Sequence, residues 1–258
     1  MYPIDLTGKT ALVFGVANHR SIAWEIAKIL DDAGAQIILS YQNERIFNSV
    51  ESLSKKLNQP SRLIECDVSE DSKIEKAMDE IAAAGNIDVI VHSIAFAEKD
   101  DLGGPFVDVS KTGFVTALTI SAYSLISIAR YGSRHMGSNG GSIISMTYQA
   151  STRVFPGYNV MGTAKAALEN EVKQIASDLG HMNIRANAIS AGPLDTLSSR
   201  VISGYRDMKN IHKEKSPMNR NITVEEVSKT ALFLASDMSS GITGEIIHVD
   251  TGYNIMGI

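Results

Sequence analysis

One cysteine, Cys66, stands alone among 258 residues. It cannot close an internal disulfide, and no zinc cluster can be built from it. Positive charge is also short: 24 lysines and arginines face 29 aspartates and glutamates, a net charge of −5. No global basic field exists to hold nucleic acid. No window approaches about 18 uninterrupted apolar residues, so membrane insertion is not expected. The opening Met1-Tyr2-Pro3-Ile4-Asp5 lacks a basic segment followed by an apolar one, which makes the cytoplasm the expected location. The glycosylation sequon Asn221-Ile222-Thr223 then reads as chance. No repeat, low-complexity tract or Pro/Gly/Ser linker divides the chain, so a single domain over residues 1–258 is expected. Its 44% hydrophobic and 21% charged residues are ordinary globular usage. A chain this long buries about three quarters of its unfolded surface and needs no covalent staple.

What is present is alternation. Short apolar runs lie at Thr10–Phe14, 36–39, 62–66, 87–91, 142–146, 184–189 and 245–249. Between them, helical patterns cover 21–32, 44–57, 71–84, 112–135, 158–179 and 224–236. Seven short strands separated by helices predict an α/β fold: a Rossmann-type, doubly wound parallel sheet covered on both faces. Ligands of such sheets sit beyond the carboxyl ends of the strands. The candidate chemistry is therefore sought just after each strand.

After strand one comes Gly15-Val16-Ala17-Asn18-His19-Arg20-Ser21-Ile22-Ala23. It departs from GxGxxG but can do the same work. Gly15 permits a tight turn, Ala17 a close backbone approach, and Ser21 is a candidate N-cap. The free amides of the next helix would then face a pyrophosphate. The alternative is an ordinary strand–turn–helix junction. Thr7-Gly8-Lys9-Thr10 mimics the tail of a nucleotide-triphosphate loop but precedes its strand, so it is rejected.

The tip of strand two carries Gln42, an amide where dinucleotide folds meet the adenine ribose. With no basic cluster for a 2′-phosphate, it leans toward NADH. Asp67, followed by Val68, either reaches the adenine amino group or caps the next helix. His92 reads as a structural histidine. Tyr148 lies just past strand five, and Tyr158 and Lys165 are seven residues apart. If both lie on one helix they share a face, and the ammonium would favour the anion and so strengthen the phenol as a proton or hydrogen-bond donor. The alternative is a packed ring and a surface lysine. Strand six leads into Gly192-Pro193-Leu194-Asp195-Thr196, then a segment over 194–220 with little apolar periodicity. A segment of that length suggests a substrate-binding lid of loop or helices.

These residues together resemble the bacterial enoyl-acyl-carrier-protein reductases of the short-chain dehydrogenase/reductase superfamily. The resemblance rests on Gly15-Val16-Ala17-Asn18 with Ser21-Ile22-Ala23, Ser93-Ile94-Ala95, Tyr148 with Tyr158-Asn159-Val160-Met161-Gly162 and Lys165, and Asn187–Pro193. It spans Leu6 to Gly252. Two tyrosines ten apart and six residues between the second tyrosine and the lysine are its specific marks. The resemblance implies reduction of a trans-2-enoyl thioester on acyl carrier protein. Tyr158 would stabilise the enolate, Lys165 would bind the nicotinamide ribose, and Ala97, Tyr148 and Tyr158 would line the substrate site. It also implies cofactor contacts from Gly15, Ser21, Ile22, Gln42, Asp67, Val68, Ile94, Lys165 and Thr196, with NADH favoured over NADPH, and a homotetramer. Three departures stand out: Gln149-Ala150 after the first tyrosine, Gly157 before the second, and Asp195 within Leu194-Asp195-Thr196-Leu197, where the family carries a cation. They leave open a carbonyl-reducing superfamily member, against the tyrosine–lysine spacing, or a cofactor-binding protein without turnover. Within 200–220 six cations (Arg200, Arg206, Lys209, Lys213, Lys215, Arg220) face two anions (Asp207, Glu214), a local +4. This is either a solvated surface or a docking patch for an acidic carrier protein.

Overall fold

In a computed structural model of the chain, residues 4–196, 199 and 204–257 are described. Leu197, Arg200 and the Met1–Pro3 start, all used above, lie outside them. The strands are β1 (Thr10–Phe14), β2 (Gln36–Tyr41), β3 (Arg62–Glu65), β4 (Val89–His92), β5 (Gly141–Thr147), β6 (Ile184–Ala191) and β7 (Ile246–Val249). They form one sheet in the order β3-β2-β1-β4-β5-β6-β7, every pair parallel. The expected doubly wound sheet is observed, and its order reverses between β1 and β4.

The helices are α1 (Ile22–Asp32), α2 (Glu44–Ser54), α3 (Asp71–Ala82), α4 (Lys111–Leu118), α5 (Ser124–Gly132), α6 (Val160–Leu179), α7 (Tyr205–Lys215) and α8 (Val224–Ala235). Alternation along the strands feeds two cores. Leu12, Phe14, Ile90 and Ile143 face α3, α5 and α6, which bring Met78, Leu125 and Leu168. Ala11, Val13, Val91 and Ile144 face α1, α2 and α8, which bring Ile26, Val50 and Leu234. Each fully buried Leu, Ile or Phe contributes about 1.5–3 kcal/mol of transfer free energy.

Three local expectations change. The helix expected over 112–135 is interrupted by a π turn at Thr119–Tyr123. That turn contains Ser121 and leads into Ser124, whose hydroxyls serve Phe96 and His92 respectively. By length and composition the run Lys111–His135 could cross a membrane, with hydropathy 1.5, but half of that stretch is buried in the protein. The helix expected from residue 158 starts at Val160, leaving Tyr158 and Asn159 in the preceding turn. The lid segment contains a helix, α7, with a single buried residue, His212. Tyr205, Met208 and Ile211 stand among charged residues that dilute any apolar stripe. Thr223 of the sequon serves α8 as a capping box with Glu226.

Candidate active site

The carboxyl edge of the sheet gathers most of the sequence candidates. Gly15 follows β1 with φ +96°, and a Cβ there would lie 2.1 Å from the Ser93 carbonyl oxygen. Only glycine lets the β1 turn press against the chain leaving β4, at the point where strand order reverses. That crevice is where doubly wound sheets take their ligands.

Ser21 holds the N-cap position of α1, but its side chain does not cap. Its Oγ turns back and accepts the amides of Ala17 and Asn18, both at 3.1 Å. The first turn of α1 therefore has no side-chain acceptor, and its amides and dipole suit an anion. Ile22 is half-buried against the core behind that turn. At the next strand tips, Gln42 Nε2 donates to Asp67 Oδ2 at 3.4 Å. Asp67 does not cap α3, whose N-cap position is Glu70; it accepts from the amide and hydroxyl of Ser69. Burial raises its carboxyl, but the Ser69 and Gln42 hydrogen bonds outweigh that and hold it below the usual range. Val68 is buried and Ile94 partly buried against it in the first core, so both form apolar floor. Ala97 follows Phe96, whose amide donates to Ser121 Oγ at 2.9 Å.

The two tyrosines meet beyond β5. Their ring centroids are 5.1 Å apart, and Tyr148 also touches Phe155 at 4.9 Å. The Lys165 ammonium is buried and donates to the Met146 carbonyl at 2.8 Å, two residues before Tyr148. The three candidates thus converge on one strand end, although Tyr158 arrives by a turn and not on the helix face expected. Burial lowers Lys165 from 10.5 to about 8, with Glu169 opposing. Burial pushes Tyr148 and Tyr158 well above the usual phenol range. Near neutral pH both hydroxyls therefore keep their protons, as a hydrogen-bond donor requires. Desolvation of the phenols outweighs any pull from Lys165, whose hydrogen bond goes to the backbone.

His92 is fully buried with Nε2 at 2.8 Å from Ser124 Oγ. Burial first, and the nearby Lys165 charge second, lower it to about 3, so it is a neutral structural group. Thr196 is folded into a clasp with Ser199: Thr196 N donates to Ser199 Oγ and Ser199 N donates to Thr196 Oγ1, both at 3.1 Å.

Several partners escaped the sequence. Asp195, read as a lost cation, pairs with Lys209 of α7. Tyr205 donates to the Leu194 carbonyl, and the Tyr148 hydroxyl meets Met208 Sδ at 3.0 Å. These contacts hold α7 over the tyrosines. Arg153 donates to the carbonyls of Met256 and Asn254 at 2.7 and 2.9 Å, tying the C-terminal segment to the tyrosine loop. Nothing in local spacing signals contacts this remote in sequence. Among the described residues no group of three or more His, Cys, Asp or Glu is placed to hold a metal.

The residues fit a nicotinamide dinucleotide: an uncapped helix N-terminus at the strand reversal, a ribose-side amide at Gln42, and a buried ammonium with one protein acceptor. Comparison with known proteins points the same way. A sequence model of the family described as Enoyl-(Acyl carrier protein) reductase matches residues 15–254. The chain is 47% identical to an enoyl-[acyl-carrier-protein] reductase [NADH] of Bacillus cereus, over 98% of this chain and 99% of that one. It is 45% identical to a Staphylococcus aureus enoyl-[acyl-carrier-protein] reductase [NADPH], over 97% and 98% of the two chains. A crystal structure of the Bacillus cereus reductase with NADP+ and indole naphthyridinone superposes with a TM-score of 0.96, covering 98% of this chain and 100% of that one at 47% identity.

Proposed function

The chain belongs to the enoyl-[acyl-carrier-protein] reductase family, and from that premise we propose how its residues divide the work. The protein is an oxidoreductase that reduces the trans-2 double bond of an enoyl thioester carried on acyl carrier protein. Its cofactor is NADH, with NADPH the second possibility.

When bound, the nicotinamide supplies the hydride taken up at the β-carbon of the enoyl group. The first turn of α1 with Gly15, Ser21 and Ile22 holds the pyrophosphate. Gln42, Asp67 and Val68 take the adenosine end, and Ile94, Lys165 and Thr196 the nicotinamide end. As the double bond is reduced, negative charge grows on the thioester oxygen. Tyr158 donates its protonated hydroxyl to that oxygen, a contact worth about 3–4 kcal/mol when formed mainly in the transition state. A proton then reaches the α-carbon and the saturated thioester leaves. Tyr148 and Ala97 line the acyl site, with Met208 above Tyr148. The observation that carries this reading is the convergence of Tyr148, Tyr158 and Lys165 on the end of β5. The Asp195–Lys209 pair weakens one of the two motives for a reading without turnover, because the anion is paired within the protein, while Gln149 remains as the other.

Acyl carrier protein docks, on this reading, beside α7. Lys209 is committed to Asp195 and Arg220 to Glu226. Arg206, Lys213 and Lys215 are left to attract an acidic partner over a range that salt shortens. The enzyme works in the cytoplasm as a homotetramer, without inserting into membranes.

The test is oxidation of NADH and of NADPH by the purified protein with a crotonyl thioester. NADH is expected to be oxidised faster. Equal or reversed preference contradicts the role of Gln42, and oxidation of neither contradicts the reductase assignment.

A further inference from the structure

Asn159 is an asparagine that does not do an asparagine's usual work. It sits at the N-cap position of α6, yet its side chain makes no capping hydrogen bond. Its backbone has φ 37° and ψ −122°, a region that glycine enters freely and other residues seldom occupy. The side chain turns away from the helix instead. Its Nδ2 donates to the Gly103 carbonyl at 2.5 Å and lies 3.3 Å from the Gly104 carbonyl. Gly103 answers from the other side: its amide donates to the Gly157 carbonyl at 3.2 Å. The residues on both sides of Tyr158 are thus fastened to one glycine.

That glycine is itself anchored. It belongs to a Gly103-Gly104 turn in which both residues have positive φ. Just before it, the buried Asp101 carboxylate accepts the Ser110 amide at 2.7 Å and the Ser110 hydroxyl at 3.1 Å. Ser110 caps α4 by accepting the Gly113 amide. A Cβ on Gly113 would collide with the Asp101 carboxylate, so the approach of turn to helix is close-packed. A rigid line therefore runs from the start of α4 through Asp101 and Gly103 to the peptides that flank Tyr158.

We propose that Asn159 is a positioning residue for the reduction, clamping Tyr158 outside α6 through Gly103 so that its hydroxyl is held where the thioester oxygen gains charge. The proposal rests on the reading of Tyr158 as the donor. A donor displaced by about 1 Å can lose about a hundredfold in rate without touching the cofactor.

The experiment compares Asn159→Gly and Asn159→Asp with the parent, each also combined with Tyr158→Phe. Glycine accepts the backbone geometry but removes the anchor. Aspartate keeps the side-chain shape but cannot donate to Gly103 when ionised. Turnover of crotonyl thioester, the NADH dissociation constant and the thermal midpoint are read for each. Both single variants are expected to lose about tenfold or more in kcat, with NADH affinity within about twofold and a cooperative melt retained. Each double variant is expected to be no slower than Tyr158→Phe alone. Full turnover in both Asn159 variants, with Tyr158→Phe impaired, overturns the clamp alone. Multiplying losses in the double variants also overturn it, because Asn159 then acts on something other than Tyr158. Full turnover in Tyr158→Phe overturns the donor role instead, and with it the purpose assigned to the clamp.

Discussion

The two ends of the sheet's carboxyl edge are held together in different ways. On the β1–β3 side the proposed cofactor surface is mostly shaped by backbone. Gly15 is pressed on Ser93, and Ser21 ties down amides three and four residues away. On the β5–β6 side the proposed substrate surface is laced by side chains that are remote in sequence. Tyr148 meets Met208 across 60 positions, Asn159 meets Gly103 across 56, and Arg153 meets Met256 across 103. A backbone-built surface is rigid and tolerates little change at its few critical positions. A side-chain-laced surface spreads its organisation over many modest contacts.

That contrast can be broken at its stiffest point. Gly15→Ala forces a Cβ into the Ser93 carbonyl at a positive φ. The expected cost is about 2–4 kcal/mol of stability, a fall in Tm of roughly 6–12 °C in thermal melts. A melt matching the parent would mean that the β1 turn relaxes freely and is not rigid.

Between the two surfaces lies Lys165, and pH sharpens its role. Its ordinary value of 10.5 is lowered to about 8 by burial. The ammonium therefore dominates below pH 8 and is lost as pH rises through it. The kcat/KM for NADH, which reports the free enzyme, is expected to fall from pH 7 to pH 9 with its midpoint near 8. A flat profile across that range would remove the charge of Lys165 from cofactor capture.

The smallest effect belongs to the laced side. The Asp195–Lys209 pair has a side chain 70% exposed on Asp195, so it contributes at most about 1 kcal/mol. Asp195→Ala is expected to raise the KM for the thioester by about two- to fivefold at unchanged kcat. Exchanging the charges, Asp195→Lys with Lys209→Asp, should restore it. A loss in kcat, or no recovery on exchange, would show that Asp195 acts directly on the cofactor.

The same contrast explains what the chain reveals on inspection. Strand runs such as Ala11–Phe14 and Ile143–Ile144 are apolar because they are buried on both faces, and they read directly as a parallel sheet. Gly15 was legible as the glycine of a tight turn, though its pressing on Ser93 was not, and Ser21 was legible because its work is done within one turn, although it holds the loop and not the helix end. Loop or helices were expected over 194–220, but the bounds of α7 were not legible, because its many charged residues dilute the apolar period. The start of α6 was misjudged by two residues because the bend at Asn159 is imposed by Gly103, far away in sequence. Tyr158 was expected on a helix face shared with Lys165, whereas the turn at Gly157–Asn159 delivers it beside Tyr148. No local pattern announces Arg153 or Met208, since their partners are chosen by the fold.

The central claim is that Tyr158, neutral and held at the end of β5, donates to the charge that forms on the thioester. Its most direct test is Tyr158→Phe, assayed for crotonyl-thioester turnover and NADH binding together. The account predicts a fall in kcat of about a hundredfold or more with the NADH dissociation constant unchanged. Turnover within about twofold of the parent, or a loss explained wholly by weaker NADH binding, would contradict it.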